Sequence, residues 1–462
     1  MNHCEKETAA HSKNTASAGS RLVLTGGLLL ALACTFSAHG GVVGTYDGFM
    51  MNMDPADNFL LPTLQGALTV IVRSEGGRLT VKAKTFTRTL LFNTTAWDTA
   101  TEHVCTAVMT ARGGERLTLK VTDGAKLEGT LESGSLGATI LLITGGRNRF
   151  RDRGDTAAQE VLDMFSGYYT VSLPKTDVVW EGALHASPQG VGFVTMMIGN
   201  KGFAKIAGQL ADGTRVSQSS RLIFLEGSPV GYVPFFVPLY RKAGWIGGVL
   251  TIDPVNGTAV APLMVCWDKP GLGPDGFQMI LDVCGGYYRS MTHGWYFFGW
   301  NYGPAPALAA GYLFYGDDPL GAMYHTPGGP ADYVAEAVPQ AIGVATLGTR
   351  LVMDKGVKPV KSADGTYAYP AGNSAMAVLR LTAKTGIFKG SFKLYSDYTS
   401  AAGKPVHKAV RVSYAGVLTP VRDAAYEDFP VGMGYYLVPD NDPSLAVYRL
   451  KRSFISLLKA TP

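Results

Sequence analysis

Charge is sparse in this chain of 462 residues, at 17%, and nearly balanced, with 41 Lys and Arg against 36 Asp and Glu. A net charge of +5 is too small for a nucleic-acid footprint unless it is concentrated on one face. The one dense basic run, Arg147, Arg149, Arg151 and Arg153, is interrupted by Asp152 and reads as a solvated linker. Nucleic acid is therefore not an expected partner. Cysteine is scarce, five residues in all. Beyond residue 40 the histidines are His103, His185, His293, His325 and His407, and none keeps a zinc spacing with another or with a cysteine, so no metal or cofactor is expected. The signatures of zinc proteases, α/β-hydrolases and P-loop proteins are missing as well, which removes the direct case for an enzyme and leaves no catalytic residue to name. Beyond residue 40 no stretch approaches the roughly 18 uninterrupted apolar residues of a membrane-spanning helix, so none is expected there.

The chain does have enough apolar side chains to fold, at 46%, and an excess of turn formers. Its 57 glycines and 25 prolines exceed the usual combined share of about 12% without a collagen period, which points to many short strands joined by turns.

The N-terminus has the layout of an export signal. A polar stretch ends at Arg21, an apolar run of 15 residues follows from Leu22 to Phe36, and small residues close it in SAHGG. Residues 1–40 are read as a signal peptide cleaved after Ala38-His39-Gly40. The other reading makes Cys34 a lipid-modified first residue after Ala31-Leu32-Ala33, although Ala31 stands where lipoproteins prefer Leu. The expected location is the cell envelope or the extracellular space. Export permits disulfides. Cys266 and Cys284 flank the turn-rich stretch WDKPGLGPDGF, and are either bridged across a hairpin or two buried thiols. Cys105, in the run VCTAVM, is expected to be a single buried thiol.

Alternation of apolar residues marks hairpins through most of the chain. Leu68, Val70 and Val72 turn at Ser74-Glu75-Gly76-Gly77 into Leu79, Val81 and Ala83. Leu117, Leu119 and Val121 turn at Asp123-Gly124 into Leu127, Gly129 and Leu131. Similar units run from Phe193 to Ser219 and from Val378 through Gly386 to Phe392. Superposed, they share a turn glycine, an apolar residue, a second glycine and a closing Leu or Phe: Gly124/Leu127/Gly129/Leu131, Gly202/Ile206/Gly208/Leu210 and Gly386/Phe388/Gly390/Phe392. Glycine beside tyrosine recurs at Gly44-Thr45-Tyr46, Gly167-Tyr168-Tyr169, Gly286-Tyr287-Tyr288 and Gly434-Tyr435-Tyr436. One segment has helical periodicity, Asp155 to Phe165, capped by Asp155 and apolar at Ala158, Val161, Leu162 and Phe165. The fold expected is mainly β: consecutive antiparallel up-and-down meanders, barrel-like because closure removes exposed edges, with one short connector helix. The modules expected are 41–152, then 153–271 including the helix, then 272–462 with an aromatic-rich insert at 287–324.

The segments GYYTVSLP, GFVTMMIGNKGFAKIAGQLADGTRVSQSS, PFFVPLYRKAGWIGGVLTI, LRLTAKTGIFKGSF, GVLTP and GMGYYLV resemble a glycine- and tyrosine-rich β-repeat of large secreted and surface proteins of environmental bacteria. The resemblance covers most of residues 44–440, matches the first module least well, and implies adhesion-type company with no established activity. It carries no catalytic residues onto this chain.

The insert at 287–324 holds 12 aromatic residues in 38 positions. Rings in loops make flat platforms suited to sugar rings or a protein partner. The candidate ligand-binding residues are Trp295, Tyr296, Trp300, Tyr302 and Tyr315; the competing reading puts these rings in a barrel interior. Taken together, the residues suggest an exported β-repeat protein with a structural or adhesive role, contacting polysaccharide or a surface protein. One alternative is a carbohydrate-active enzyme using two strand carboxylates from among Glu181, Asp268, Asp282 and Glu336. Another is an outer-membrane barrel, which needs strands of about ten residues where the clearest alternating runs here are nearer five to seven.

Overall fold

A computed structural model describes residues 41–52, 63–86, 88–95, 97–101, 104–133, 139–151, 155–180, 188, 190–225, 227–254, 258–270, 276–288, 310–315, 341–347, 350–399, 402–419, 432–440 and 449–459. Among the described residues the chain is mainly β, in three large antiparallel sheets joined in series and one two-stranded hairpin.

The first sheet contains β1 (Gly44–Asn52), β2 (Thr63–Val72), β3 (Leu79–Thr85), β4 (Thr89–Thr94), β5 (Asp98–Thr101), β6 (Val104–Thr110), β7 (Arg116–Thr122), β8 (Lys126–Ser133) and β9 (Thr139–Arg147). Each strand pairs with its neighbour in sequence except β4 and β5, and β1 also pairs with β9, so a meander has rolled up until its ends meet. Across the remaining gap β4 comes against β6. The alternation read from the sequence sets the register: Val72 faces Leu79, Val70 faces Val81 and Leu68 faces Ala83. All six side chains are buried inside the barrel with Tyr46, Met50, Phe92 and Leu117.

The connector helix α1 (Thr156–Phe165) follows. Asp155 caps it, its Oδ1 accepting from the Ala158 N–H at 3.0 Å, and Arg149 donates from Nε to Asp155 Oδ2 at 2.7 Å. Val161, Leu162 and Phe165 form the apolar stripe and enter the core of the second barrel.

That barrel contains β10 (Gly167–Leu173), β11 (Lys175–Trp180), β12 (Gly192–Ile198), β13 (Phe203–Gln209), β14 (Arg215–Arg221), β15 (Ile223–Phe224), β16 (Gly231–Leu239), β17 (Gly244–Asp253), β18 (Thr258–Lys269), β19 (Phe277–Leu281) and β20 (Cys284–Tyr287). The main path runs β14-β13-β12-β10-β20-β18-β17-β16-β15. β14 at one end of this path comes against β16 near the other, and because Pro234 on β16 has no N–H a regular ladder cannot form between them. The Gln218 amide on β14 takes its place, donating from Nε2 to the Pro234 carbonyl at 3.2 Å and accepting the Phe236 N–H at 2.6 Å. The second sheet also takes in β19 and β20, which the sequence reading had placed in the third module. The cause is long-range register: Tyr169 on β10 pairs with Tyr287 on β20, and Val171 with Gly285.

The third sheet contains β21 (Ala310–Tyr315), β22 (Ala341–Leu347) and β23 (Arg350–Met353). After a small separate hairpin, β24 (Val360–Lys361) with β25 (Tyr367–Ala368), it continues with β26 (Val378–Thr382), β27 (Ile387–Thr399), β28 (Pro405–Leu418), β29 (Gly432–Asp440) and β30 (Arg449–Lys459). Its order is β23-β22-β21-β30-β29-β28-β27-β26, and the end strands β23 and β26 come together.

The recurrent second glycine has one structural meaning in all three sheets. A Cβ at Gly129, Gly208 or Gly390 would run into the carbonyl oxygen of Thr118, Phe193 or Val378 on the adjoining strand. Each marks a place where the sheet coils too tightly for a side chain on that face.

Candidate functional site

The barrels are packed onto one another. Phe49, Met51 and Leu64 of the first meet Ile223, Phe236 and Val249 of the second in a continuous apolar cluster. Beside this seam a cleft of about 220 Å³ opens between the two barrels.

On the first barrel the cleft wall is a cross-strand row, Asp47 on β1 beside Thr69 on β2 beside Lys82 on β3, with Lys84 in the next row. On the second barrel the wall is Phe203, Ser219, Arg221 and Phe236. Asp47 is 2% exposed, a burial that a carboxylate tolerates only when it is paired and hydrogen-bonded. Thr69 Oγ1 donates to its Oδ1 at 2.7 Å and Asn148 Nδ2 donates to its Oδ2 at 2.5 Å. The cation comes from the other barrel: Arg221 Nε lies 3.4 Å from Asp47 Oδ1. The Arg221 guanidinium also lies over the Phe203 ring, 4.2 Å from its centroid, and its Nη1 is buried with no hydrogen-bond partner among the described residues. A buried donor left in that state costs about 1–3 kcal/mol, more when charged. Lys84 Nζ lies 5.6 Å above the Phe236 ring. Chemically the cleft offers fixed positive charge, ring faces and one saturated carboxylate.

A second polar cluster lies within the second barrel. Tyr240 donates from its hydroxyl to Asp212 Oδ2 at 2.7 Å, and Trp267 Nε1 donates to the Tyr240 hydroxyl at 3.1 Å. Burial, reinforced by the Asp212 charge, pushes the Tyr240 phenol above its ordinary range, so it stays protonated and keeps donating. This network braces the β16–β17 turn, where Tyr240, Arg241 and Lys242 all have φ between 50° and 73°.

Of the residues singled out from sequence, Trp295, Tyr296, Trp300 and Tyr302 lie outside the described residues, as do Cys34, Glu181 and Glu336. Tyr315 is the last residue of β21, at a position paired with Ile455, and nothing of its side chain is described. The first two rings of the aromatic run are packed away: Tyr287 meets Tyr169 edge to face at 5.5 Å, and the Tyr288 hydroxyl donates to the Ala383 carbonyl at 2.6 Å across the junction with the third barrel. Cys105, Cys266 and Cys284 carry thiols. The β18–β19 register sets Ile280 opposite Cys266, while Cys284, half-buried, pairs with Ser172 on β10. Asp268 and Asp282 are not brought together either. Asp268 lies near the turn end of the β18–β19 ladder, and Asp282 follows the far end. Among the described residues no three His, Cys, Asp or Glu side chains group as metal ligands, and no helix is long and apolar enough to cross a membrane.

The Asp47–Arg221 pair was not singled out from sequence. Its available signal was a charged residue in β1, where GTYDGFMMN is otherwise mostly apolar and buried.

Fold and cleft together define a serial β-barrel protein with a cationic groove between its first two barrels. No family model matches the chain, and no curated protein matches it. Among solved structures it is similar to a crystal structure of a tryptophan-to-alanine mutant of the vaccine antigen Transferrin Binding Protein B from Haemophilus parasuis Hp5. The identity is 8%, over 90% of this chain and 77% of that one, with a TM-score of 0.19, a likeness that carries no argument about this protein.

Proposed function

We propose that this chain is an exported protein of the cell envelope or extracellular space, with a structural or adhesive binding role, and that it belongs with the glycine- and tyrosine-rich surface repeats it resembles. The observation that carries this reading is that the barrel interiors are packed with the protein's own side chains. Trp267, Tyr46, Tyr169, Tyr436 and Phe235 are among the largest fully buried. Contacts with a partner then fall on outer surfaces and on the grooves between barrels. The signal-like residues 1–40 supply the route out of the cell. The partner favoured is a polysaccharide, met in part by the aromatic segment 287–324.

Two measurements test this. Fractionation of cells expressing the full chain is expected to find it outside the cytoplasm with residues 1–40 removed; an uncleaved cytoplasmic protein overturns the export reading. Sedimentation of the purified protein with insoluble polysaccharides is expected to show binding that a Trp295→Ala/Trp300→Ala variant weakens. Turnover of an envelope polymer by the purified protein would overturn the non-enzymatic role.

A further inference from the structure

The cleft between the first two barrels has an uneven supply of polar groups. Its acid, Asp47, is already committed to Arg221, Thr69 and Asn148. Two further acceptors beside it are in use as well: the Gln218 side-chain amide oxygen takes the Phe236 N–H, and the Pro234 backbone carbonyl takes Gln218 and Ser220. What is left over donates. Lys82 and Lys84 stand exposed on β3 with no ion-pair partner among the described residues. Ser219 is exposed in the facing wall, and Arg221, its Nη1 buried behind that wall without an acceptor among the described residues, adds fixed positive charge rather than a free donor. A site whose uncommitted groups are mostly cationic donors is complementary to an oxyanion.

The size and walls narrow the class of ligand. At about 220 Å³ the cleft is smaller than the roughly 300–1,000 Å³ pockets of drug-sized ligands, so it takes one small anionic unit rather than a folded partner. Phe203 is 42% exposed, a large apolar ring lying in the wall among charged neighbours. A flat ring beside a hydroxyl donor and cations suits a sugar ring that carries an acidic group better than it suits the flexible stem of an acidic amino acid.

We propose that the groove between the first and second barrels binds an acidic saccharide unit, its carboxylate or sulfate held by Lys82 and Lys84 and its ring set against Phe203. This deepens the binding reading above and rests on it only for the setting in which such a polymer is met.

The test is titration of the purified full chain with matched oligosaccharides that differ only in carrying no charge, a uronate or a sulfate. Acetate, inorganic sulfate and oligo-glutamate run as separate arms. Binding is expected for an acidic oligosaccharide and not for its neutral counterpart, weakening with salt. It is expected to fall about tenfold or more in Lys82→Ala/Lys84→Ala, whose exposed positions leave the fold intact, as thermal melting would verify. Phe203→Ala is expected to weaken the oligosaccharide while leaving free sulfate unaffected. Equal binding of neutral and acidic sugars, undiminished binding in the lysine variant, or oligo-glutamate binding as tightly as the sugar would each overturn the proposal. Fractionation decides the export reading separately, so failure of one is distinguishable from failure of the other.

Discussion

Arg221, the last residue of β14 in the second barrel, neutralises Asp47 in the wall of the first, Nε to Oδ1 at 3.4 Å, and this ion pair joins two separate antiparallel sheets. The two partners are unequally buried, with side chains 21% and 3% exposed. Removing the cation strands a carboxylate in the interior, whereas removing the acid leaves a guanidinium that still reaches water.

Arg221→Ala is therefore expected to destabilise the protein by about 3 kcal/mol, and Asp47→Asn by about half as much. The double variant should cost less than the sum, with a coupling of about 1 kcal/mol or more. Urea unfolding of the four proteins measures the cycle; strictly additive losses would show that the pair does not couple.

The coiling glycines make a sharper test, because two nearby positions have opposite expectations. A Cβ at Gly208 meets the Phe193 carbonyl, so Gly208→Ala should cost about 2–3 kcal/mol. At Gly199 nothing lies within 4 Å and φ is not left-handed, so Gly199→Ala should be neutral or stabilising by about 0.5 kcal/mol. Thermal melting separates the two.

Alkaline pH should unfold the protein through groups that hold their protons more tightly when folded. Burial pushes the Cys266 thiol up to about 11 from 9.0; burial and then the Asp282 carboxylate push Cys284 up to about 12. Burial raises the phenols of Tyr288 and Tyr435 to about 12 from 10.0, helped at Tyr288 by the neighbouring Tyr168 and at Tyr435 by Asp212. A folded pKa above the unfolded one contributes stability that is complete below the unfolded value and is lost as pH rises through the folded one. Stability should therefore be insensitive to these groups up to about pH 9 and fall between about pH 9 and 12. Urea midpoints across that window check the slope, and Cys266→Ala/Cys284→Ala should flatten its lower part. In the folded protein near pH 8 both thiols should alkylate far more slowly than after unfolding.

At the junction of the second and third barrels, Tyr288→Phe removes a 2.6 Å hydrogen bond to the Ala383 carbonyl, and Tyr168→Phe a 3.2 Å one to the Thr385 carbonyl. The first should cost about 1 kcal/mol and the second less. Hydrogen exchange should quicken first around β26 and β27, with the first barrel unchanged.

The parts legible in the sequence were those decided by neighbours along the chain. The β2–β3 pairing of Val70 with Val81 follows from period-two alternation and a glycine turn, and α1 follows from Asp155 and a 3.6-residue stripe ending at Phe165. The glycine repeat was visible too, although its meaning, a carbonyl lying where a Cβ would be, belongs to three dimensions. Cys266 and Cys284 show the limit: a turn-rich spacer suggests that they face one another, but the register between β18 and β19 depends on which residues pack, and it delivers Ile280.

The sequence by itself thus determined the hairpins that turn near Gly76, Gly124, Gly202 and Gly386, the helix α1 and the mainly antiparallel β class, because side-chain periodicity and turn chemistry act over a few residues. Only the tertiary structure decided how each meander closes, that β20 returns to β10, and that Asp47 meets Arg221 beside Lys82 and Lys84. Those contacts depend on which edges and faces meet after the barrels have rolled up and packed, and no local pattern of residues encodes that meeting.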